Sequence, residues 1–366
     1  MKRKFSVRLL AGLLMAVAWV PLAEPATITD LGTLGGTFSK ALGINASGQV
    51  VGYATTAGNN ANHGFLYSGG SMSDLGSLGG TGTAARGINA AGQITGSSGT
   101  AGSGVVGDAF LYSAGGIADL GTLGGFASDG EGINASGQVT GESFTADNTV
   151  HAFLYASGNM RDLGTLGGST SVAGGINDIG RVVGRSNYFA GNPSFHAFFY
   201  DGVMTDLGTL GGSNSSASGI NNAGQIVGDS DTTGIATHAF LYAGGHMTDL
   251  GTLGGDQSVA AAINATGQIV GQSNTTAGGS FQAFWYSGGI MTDLNSLLPA
   301  NSGWQLQAAQ AINDSGQIAG YGLIGDQIHG FLLATSDTSA PEPGSLFLLC
   351  AGASVISLMR KRLIRR

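Results

Sequence analysis

Asp30-Leu31-Gly32-Thr33-Leu34-Gly35-Gly36 is the stretch on which the fold turns, because the chain repeats it. The same seven residues start at Asp119, Asp162, Asp206 and Asp249; at Asp74 a Ser replaces the Thr, and at Asp293 the segment decays to Asp-Leu-Asn-Ser-Leu-Leu. Successive starts lie 44, 45, 43, 44, 43 and 44 residues apart. Two other marks keep the same beat. Ile-Asn ends at Asn45, Asn89, Asn134, Asn177, Asn221, Asn264 and Asn313, and an aromatic segment of the type His-Ala-Phe-Leu-Tyr centres on Phe65, Phe110, Phe153, Phe198, Phe240, Phe284 and Phe331. Three marks, each present seven times, make this a repeat array.

Each repeat divides into four short β-type segments. In the first copy Lys40–Asn45 meets Gln49–Ala54 through Ala46-Ser47-Gly48, and His63–Tyr67 meets Ser71–Leu75 through Ser68-Gly69-Gly70. A three-residue Gly-bearing link between apolar runs predicts a hairpin. Helical periodicity is absent, and Gly recurs too often for helices. Four short strands every 43–45 residues predict one blade of an all-β propeller. The ends fit a closed circle. Thr27–Leu34 is a fourth strand without the preceding three, and Gln310–Leu333 holds three strands without a fourth. The N-terminal strand can therefore complete the last blade, a Velcro closure that removes free sheet edges. The expected fold is a seven-bladed β-propeller of four-stranded blades over residues 27–335. A linear β-solenoid is the alternative; it would need atypical caps, where this sequence offers two complementary halves.

The composition fits a packed array. Gly supplies 67 of 366 residues and charged residues only 10%, yet 42% are hydrophobic, enough to form a core. The net charge of −8 is unevenly spread: residues 27–340 carry five Lys and Arg against 20 Asp and Glu. Nucleic-acid binding needs cations to displace condensed counterions, and this region has too few. The single cysteine, Cys350, excludes an intrachain disulfide and Cys-based zinc sites.

Basic residues gather at the two ends. Lys2, Arg3, Lys4 and Arg8 precede an apolar run from Leu9 to Val20, and small residues follow at Ala23 and Ala26. That order predicts a signal peptide over residues 1–26. At the other end, after a linker from residue 336, come Pro341-Glu342-Pro343, an apolar stretch over 345–359 and a basic stop over 360–366. The 15-residue stretch spans about 22 Å as a helix, and the basic cluster would stay cytoplasmic. Motif, apolar span and Arg cluster together resemble the PEP-CTERM sorting signal. The resemblance implies an exosortase-type membrane peptidase as partner, transient insertion through the tail, and release to the cell surface or the medium. The bland alternative is a permanent anchor.

The repeat itself resembles the HAF repeat of exported bacterial proteins. His151-Ala152-Phe153, His196-Ala197-Phe198 and His238-Ala239-Phe240 match outright; Asp108 and Gln282 stand in place of the His in two copies. The resemblance covers residues 28–333 and implies no defined biochemistry. PEP-CTERM proteins accompany exopolysaccharide production, so that resemblance implies a biofilm or envelope setting.

Spacing points to where function sits. Asp to Asn takes 15 residues in six copies and Phe to Asp takes 8 or 9, whereas Asn to Phe varies from 18 to 21. Length variation thus falls between the second and third strands, whose connections share a face with those joining one blade to the next. Variable loops on a rigid scaffold usually carry binding. The candidate ligand-binding residues there are Phe144, Arg185, Tyr188, Phe189 and Phe281, with Trp304 on the lengthened connection between Asp293 and Asn313. Residues present once per blade, such as Asp74, Asn89, His151 and Phe153, are read as structural. Asn and Asp brace turns, and His can bridge strands. No nucleophile elbow, phosphate loop, dinucleotide fingerprint or metal motif occurs. The expectation is a non-enzymatic extracellular protein that binds glycan or protein, without a cofactor or metal; Ca²⁺ enters only as a bridge to an acidic glycan, and no motif supports it. A secreted carbohydrate-active enzyme using the central funnel is the alternative.

Overall fold

In the computed structural model residues 26–334 are described, apart from 103–106, 190 and 192. The proposed signal peptide, the Pro341-Glu342-Pro343 motif and the tail lie outside the described residues. No helix among the described residues is long and apolar enough to cross a membrane.

Among the described residues twenty-eight strands form seven four-stranded antiparallel sheets. The first sheet runs Gly35–Ile44, Val50–Thr56, Asn62–Ser68, Ser71–Asp74, and the next five repeat this sequential order. The seventh is composite: Trp304–Ile312, Gln317–Ile324 and Gln327–Ala334 are completed on the outside by Thr27–Asp30. Thr27 pairs with Ala334 and Asp30 with Phe331. The chain is a seven-bladed β-propeller closed by its N-terminal strand.

Strand bounds differ from the sequence expectation around the repeated Asp-Leu-Gly segment. The first strand starts at Gly35, not Lys40, and the closing strand stops at Asp30, not Leu34. Asp30 is the cause. Its Oδ1 accepts from Gly32 N at 2.8 Å, and Gly32 takes a φ of +73°, open at little cost only to Gly. Thr33 then accepts from Gly35 N and donates to Gly36 O, so the next strand begins at the Leu-Gly-Gly end.

The core lies between blades. Phe65, Phe110, Phe153, Phe198, Phe240, Phe284 and Phe331 are fully buried, each contributing roughly 1.5–3 kcal/mol. Phe110, for example, packs with Ala85, Ile88 and Ile94 of its own blade and with Val51 and Leu75 from the blade before. The first two strands approach closely at a bulge between Ala41 and Gly43. A Cβ on Gly52 would sit 1.9 Å from Lys40 O, which explains the Gly repeated there.

Candidate functional site

The repeated polar residues are spent on the scaffold. Asn45 Oδ1 accepts from Ser47 N and Gln49 N, bracing its own turn, while its Nδ2 donates to Asn89 O of the next blade at 3.1 Å. Asn89, Asn134, Asn177, Asn221, Asn264 and Asn313 each donate to the following blade in the same way, and Asn313 donates to Asn45 O. The result is a closed circle of seven bonds at the end of the channel bearing the tight turns. Beside it stand seven isoleucines, from Ile44 to Ile312, lining a cavity of about 320 Å³.

His and Asp join the outer strands. His151 Nδ1 lies 2.8 Å from Asp162 Oδ2, and the same pair recurs as His63–Asp74, His196–Asp206, His238–Asp249 and His329–Asp30. The last pair holds the closing strand. In the second and sixth blades His is missing. Asp108 meets Asp119 instead, and its buried Oδ1 has no hydrogen-bond partner. Around Gln282, Asn295 Nδ2 bridges Gln282 and Asp293. A further repeated residue escaped the sequence reading. Ser39, Ser128, Ser171, Ser215 and Ser258 accept from the third strand of the blade before, as in Ala152 N to Ser171 Oγ at 2.9 Å. Among the described residues no group of three or more His, Cys, Asp or Glu is placed to hold a metal ion.

The opposite end of the channel, on the face of the variable loops, is different. A cavity of about 360 Å³ opens there, lined by Leu42, Arg86, Glu131, Gly174, Ser218, Ala261 and Gln310, one from the first strand of each blade, with Arg185 and Gln272 from second strands. All seven first-strand residues differ. This position, three before the repeated Asn, is where the array stops repeating, and aligning the copies on Ile-Asn would have exposed it.

Charge concentrates on one wall. Arg86 holds Asp129 through Nε at 3.1 Å and Nη2 at 2.8 Å, and its Nε lies 3.4 Å from Glu131. Burial works against the Arg86 charge, but Glu131, Asp129 and Glu142 outweigh it and keep the guanidinium firmly protonated. Burial pushes the Glu131 carboxyl up to about 7, with Arg86 opposing and Asp129 and Glu142 adding. Glu142 is raised by burial and by Asp129, its direct cross-strand partner; like charges in that relation are destabilising. Two blades on, burial lifts Asp229 to about 6 against the pull of Arg185. The adjoining wall, from the seventh and first blades, is aromatic: Lys40 Nζ lies 4.0 Å from the Tyr321 ring centroid, and burial raises both Tyr53 and Tyr321.

The sequence candidates are scattered over this face. Arg185 lines the funnel, forms no ion pair among the described residues, and lies 5.3 Å from the Phe195 ring. Tyr188 and Phe189 occupy the rim loop, 38% and 47% exposed; Tyr188 stacks on His196 at 4.3 Å. Phe144 packs against exposed Phe126 at 4.0 Å, and Phe281 is half-buried at the start of a third strand. Trp304, expected on a loop, instead opens a strand. It is half-buried on the core of the last blade, edge-on to Phe331 at 6.1 Å.

No family model and no curated protein matches this sequence. Solved structures do resemble it. A puromycin-hydrolyzing peptidase of Mycobacterium tuberculosis aligns with a TM-score of 0.54 at 11% identity, over 87% of this chain and 56% of that one. TolB from Acinetobacter baumannii gives 0.38 at 12% identity, over 62% and 59%. The six-bladed fungal lectin of Aleuria aurantia gives 0.38 at 13% identity, over 85% and 100%. The chain thus spans under two thirds of the peptidase and of TolB. The likeness to the peptidase is one of fold; the other two carry no argument.

Proposed function

We propose that this chain is an exported, non-enzymatic binding protein of the cell surface or extracellular matrix, taking a glycan or protein partner on its loop face. The observation that carries this reading is the contrast between the two ends of the channel. At the turn end, seven Ile-Asn pairs repeat without exception. At the loop end, the equivalent layer is Leu, Arg, Glu, Gly, Ser, Ala and Gln. Scaffold need accounts for a repeated residue; a different residue in every blade suits an asymmetric ligand. The signal-peptide pattern and the tail resembling PEP-CTERM support export. The test is an array of extracellular polysaccharides and proteins probed with the full chain and with Gln272→Ala and Ala46→Asp variants. Loss of binding from Gln272→Ala alone supports the loop face, and loss from Ala46→Asp alone refutes it.

One observation favours the enzyme reading. Asp129 is ion-paired with Arg86, whereas Glu131, two residues on, is pushed up to about 7. Two carboxylates in unlike environments are the pattern of acid and base roles. Release of reducing sugar from a neutral polysaccharide, abolished by Glu131→Gln, would establish that reading in place of the first.

A further inference from the structure

We infer that the funnel is a seat for one terminal sugar unit of a neutral glycan, held by hydrogen bonds from Arg185, Gln272 and Gln310 and to Glu131, and not by stacking on the rim aromatics. This rests on the binding reading above and narrows it to a ligand class and a set of contacts. Volume is the first ground. The cavity of about 360 Å³ falls at the small end of ligand pockets, about 300–1,000 Å³, and matches a compact unit, not a protein surface.

Hydrogen-bonding capacity is the second. The Arg185 guanidinium offers five N–H donors and has no ion-pair partner among the described residues. The Arg86 guanidinium, by contrast, is committed to Asp129. Among the described residues the ion-pair contact of Glu131 runs through Oε1, at 3.4 Å from Arg86, and leaves acceptor capacity for a ligand. Gln272 and Gln310 line the same cavity from the sixth and seventh blades, and each can both donate and accept. A cavity lined by both donors and acceptors fits groups that do both at once, and a sugar hydroxyl is such a group.

Charge decides against the other ligand classes. An anionic ligand drawn to Arg185 would meet Glu131, Glu142 and Asp229, all close enough to interact with that guanidinium or with one another. A cationic ligand would meet Arg185 and Arg86. A neutral polyol meets neither penalty, and it leaves the raised Glu131 carboxyl a hydrogen-bond partner in either protonation state.

Calorimetric titration of the full chain with neutral and uronate-containing oligosaccharides is the test. Neutral ligands should bind, with Arg185→Ala and Glu131→Gln each weakening affinity tenfold or more and the rim variant Phe189→Ala changing it less than threefold. Circular dichroism melts separate lost contacts from lost folding; should Arg185→Ala fail to fold, Arg185→Lys, which keeps the charge without the planar fork, should show the same loss. Preference for uronate ligands, or loss from Phe189→Ala with Arg185→Ala and Glu131→Gln unaffected, overturns this inference and leaves the loop-face reading standing. Binding to none of these sugars, with retention of a protein ligand on the array, also overturns it. Failure of every ligand on both tests overturns the binding reading itself.

Discussion

Asn313 donates from Nδ2 to the backbone oxygen of Asn45 at 3.1 Å, joining two residues 268 positions apart in the sequence. This bond closes the circle that six other asparagines build, each from one blade to the next. The same side chain accepts from Gln317 N, so it braces its own turn while it reaches across the seam. Asn313→Ala should therefore remove a buried bond and leave the Asn45 carbonyl with Gly48 N as its remaining donor. The expected cost is about 1–3 kcal/mol. Urea unfolding should give Asn134→Ala, inside the array, a similar loss. A much larger effect at the seam would mean that the circle is held mainly there and is not distributed.

The second closure is Thr27–Asp30 on the outside of the last blade. Removing these residues exposes the edge of Gln327–Ala334 and deprives His329 of Asp30, which lies 3.0 Å away. Unpaired edges template association. The shortened chain should melt lower and migrate as oligomers on size-exclusion chromatography. A monomer of unchanged melting temperature would show the strand to be dispensable.

The exception among the His–Asp pairs offers a stabilising change. Asp108 stands where five blades have His, and burial together with Asp119 raises its carboxyl. Its folded state holds a proton that the unfolded state gives up more readily, so the site costs stability as pH rises past the ordinary carboxylate range. Asp108→His should restore a pair with Asp119 and raise stability at pH 7 by about 1 kcal/mol. A neutral or negative change would place the compensation for Asp108 elsewhere.

Seven blades and their closure were legible because each blade is one period and the unmatched fourth strand stands at the N-terminus. Asp74, Asn89, His151 and Phe153 stood out for the same reason, since each recurs at its place in the period. The reach of Asn89 to Asn134 O, in the next blade, was not legible, since no local spacing says which neighbour a turn residue meets. The Ser171 contact was hidden although its residue repeats, because it too crosses between blades. Loop length drew the functional reading to the rim, and to Trp304 in particular. A half-buried ring on the core of the last blade makes Trp304→Ala a change that costs fold stability as well. The funnel residues Arg86, Glu131 and Gln310 sit inside first strands, a fixed three positions before the repeated Asn, where only their failure to repeat distinguishes them.

Glu131 gives the array a pH dependence whose sign can be fixed. Its ordinary value is 4.5, and in the folded chain burial pushes it up to about 7. Between those values the native state keeps a proton that the unfolded state has lost, so stability falls as pH rises through that window. Asp229, raised from 3.8 to about 6, acts with the same sign lower down. The groups facing Glu131 are Arg86, Asp129, Glu142 and Arg185, and of these the two arginines favour its charge while the two carboxylates oppose it. Glu131→Gln removes the titration but keeps the shape, and Arg86 retains Asp129. The side chain is 29% exposed, which limits the gain at high pH to about 1–2 kcal/mol. Urea unfolding at pH 5 and pH 8 should show the native chain losing more stability between the two than Glu131→Gln does. Equal losses in both proteins would mean that Glu131 is already charged at pH 5, and that Arg86 shields it far better than its 3.4 Å contact suggests.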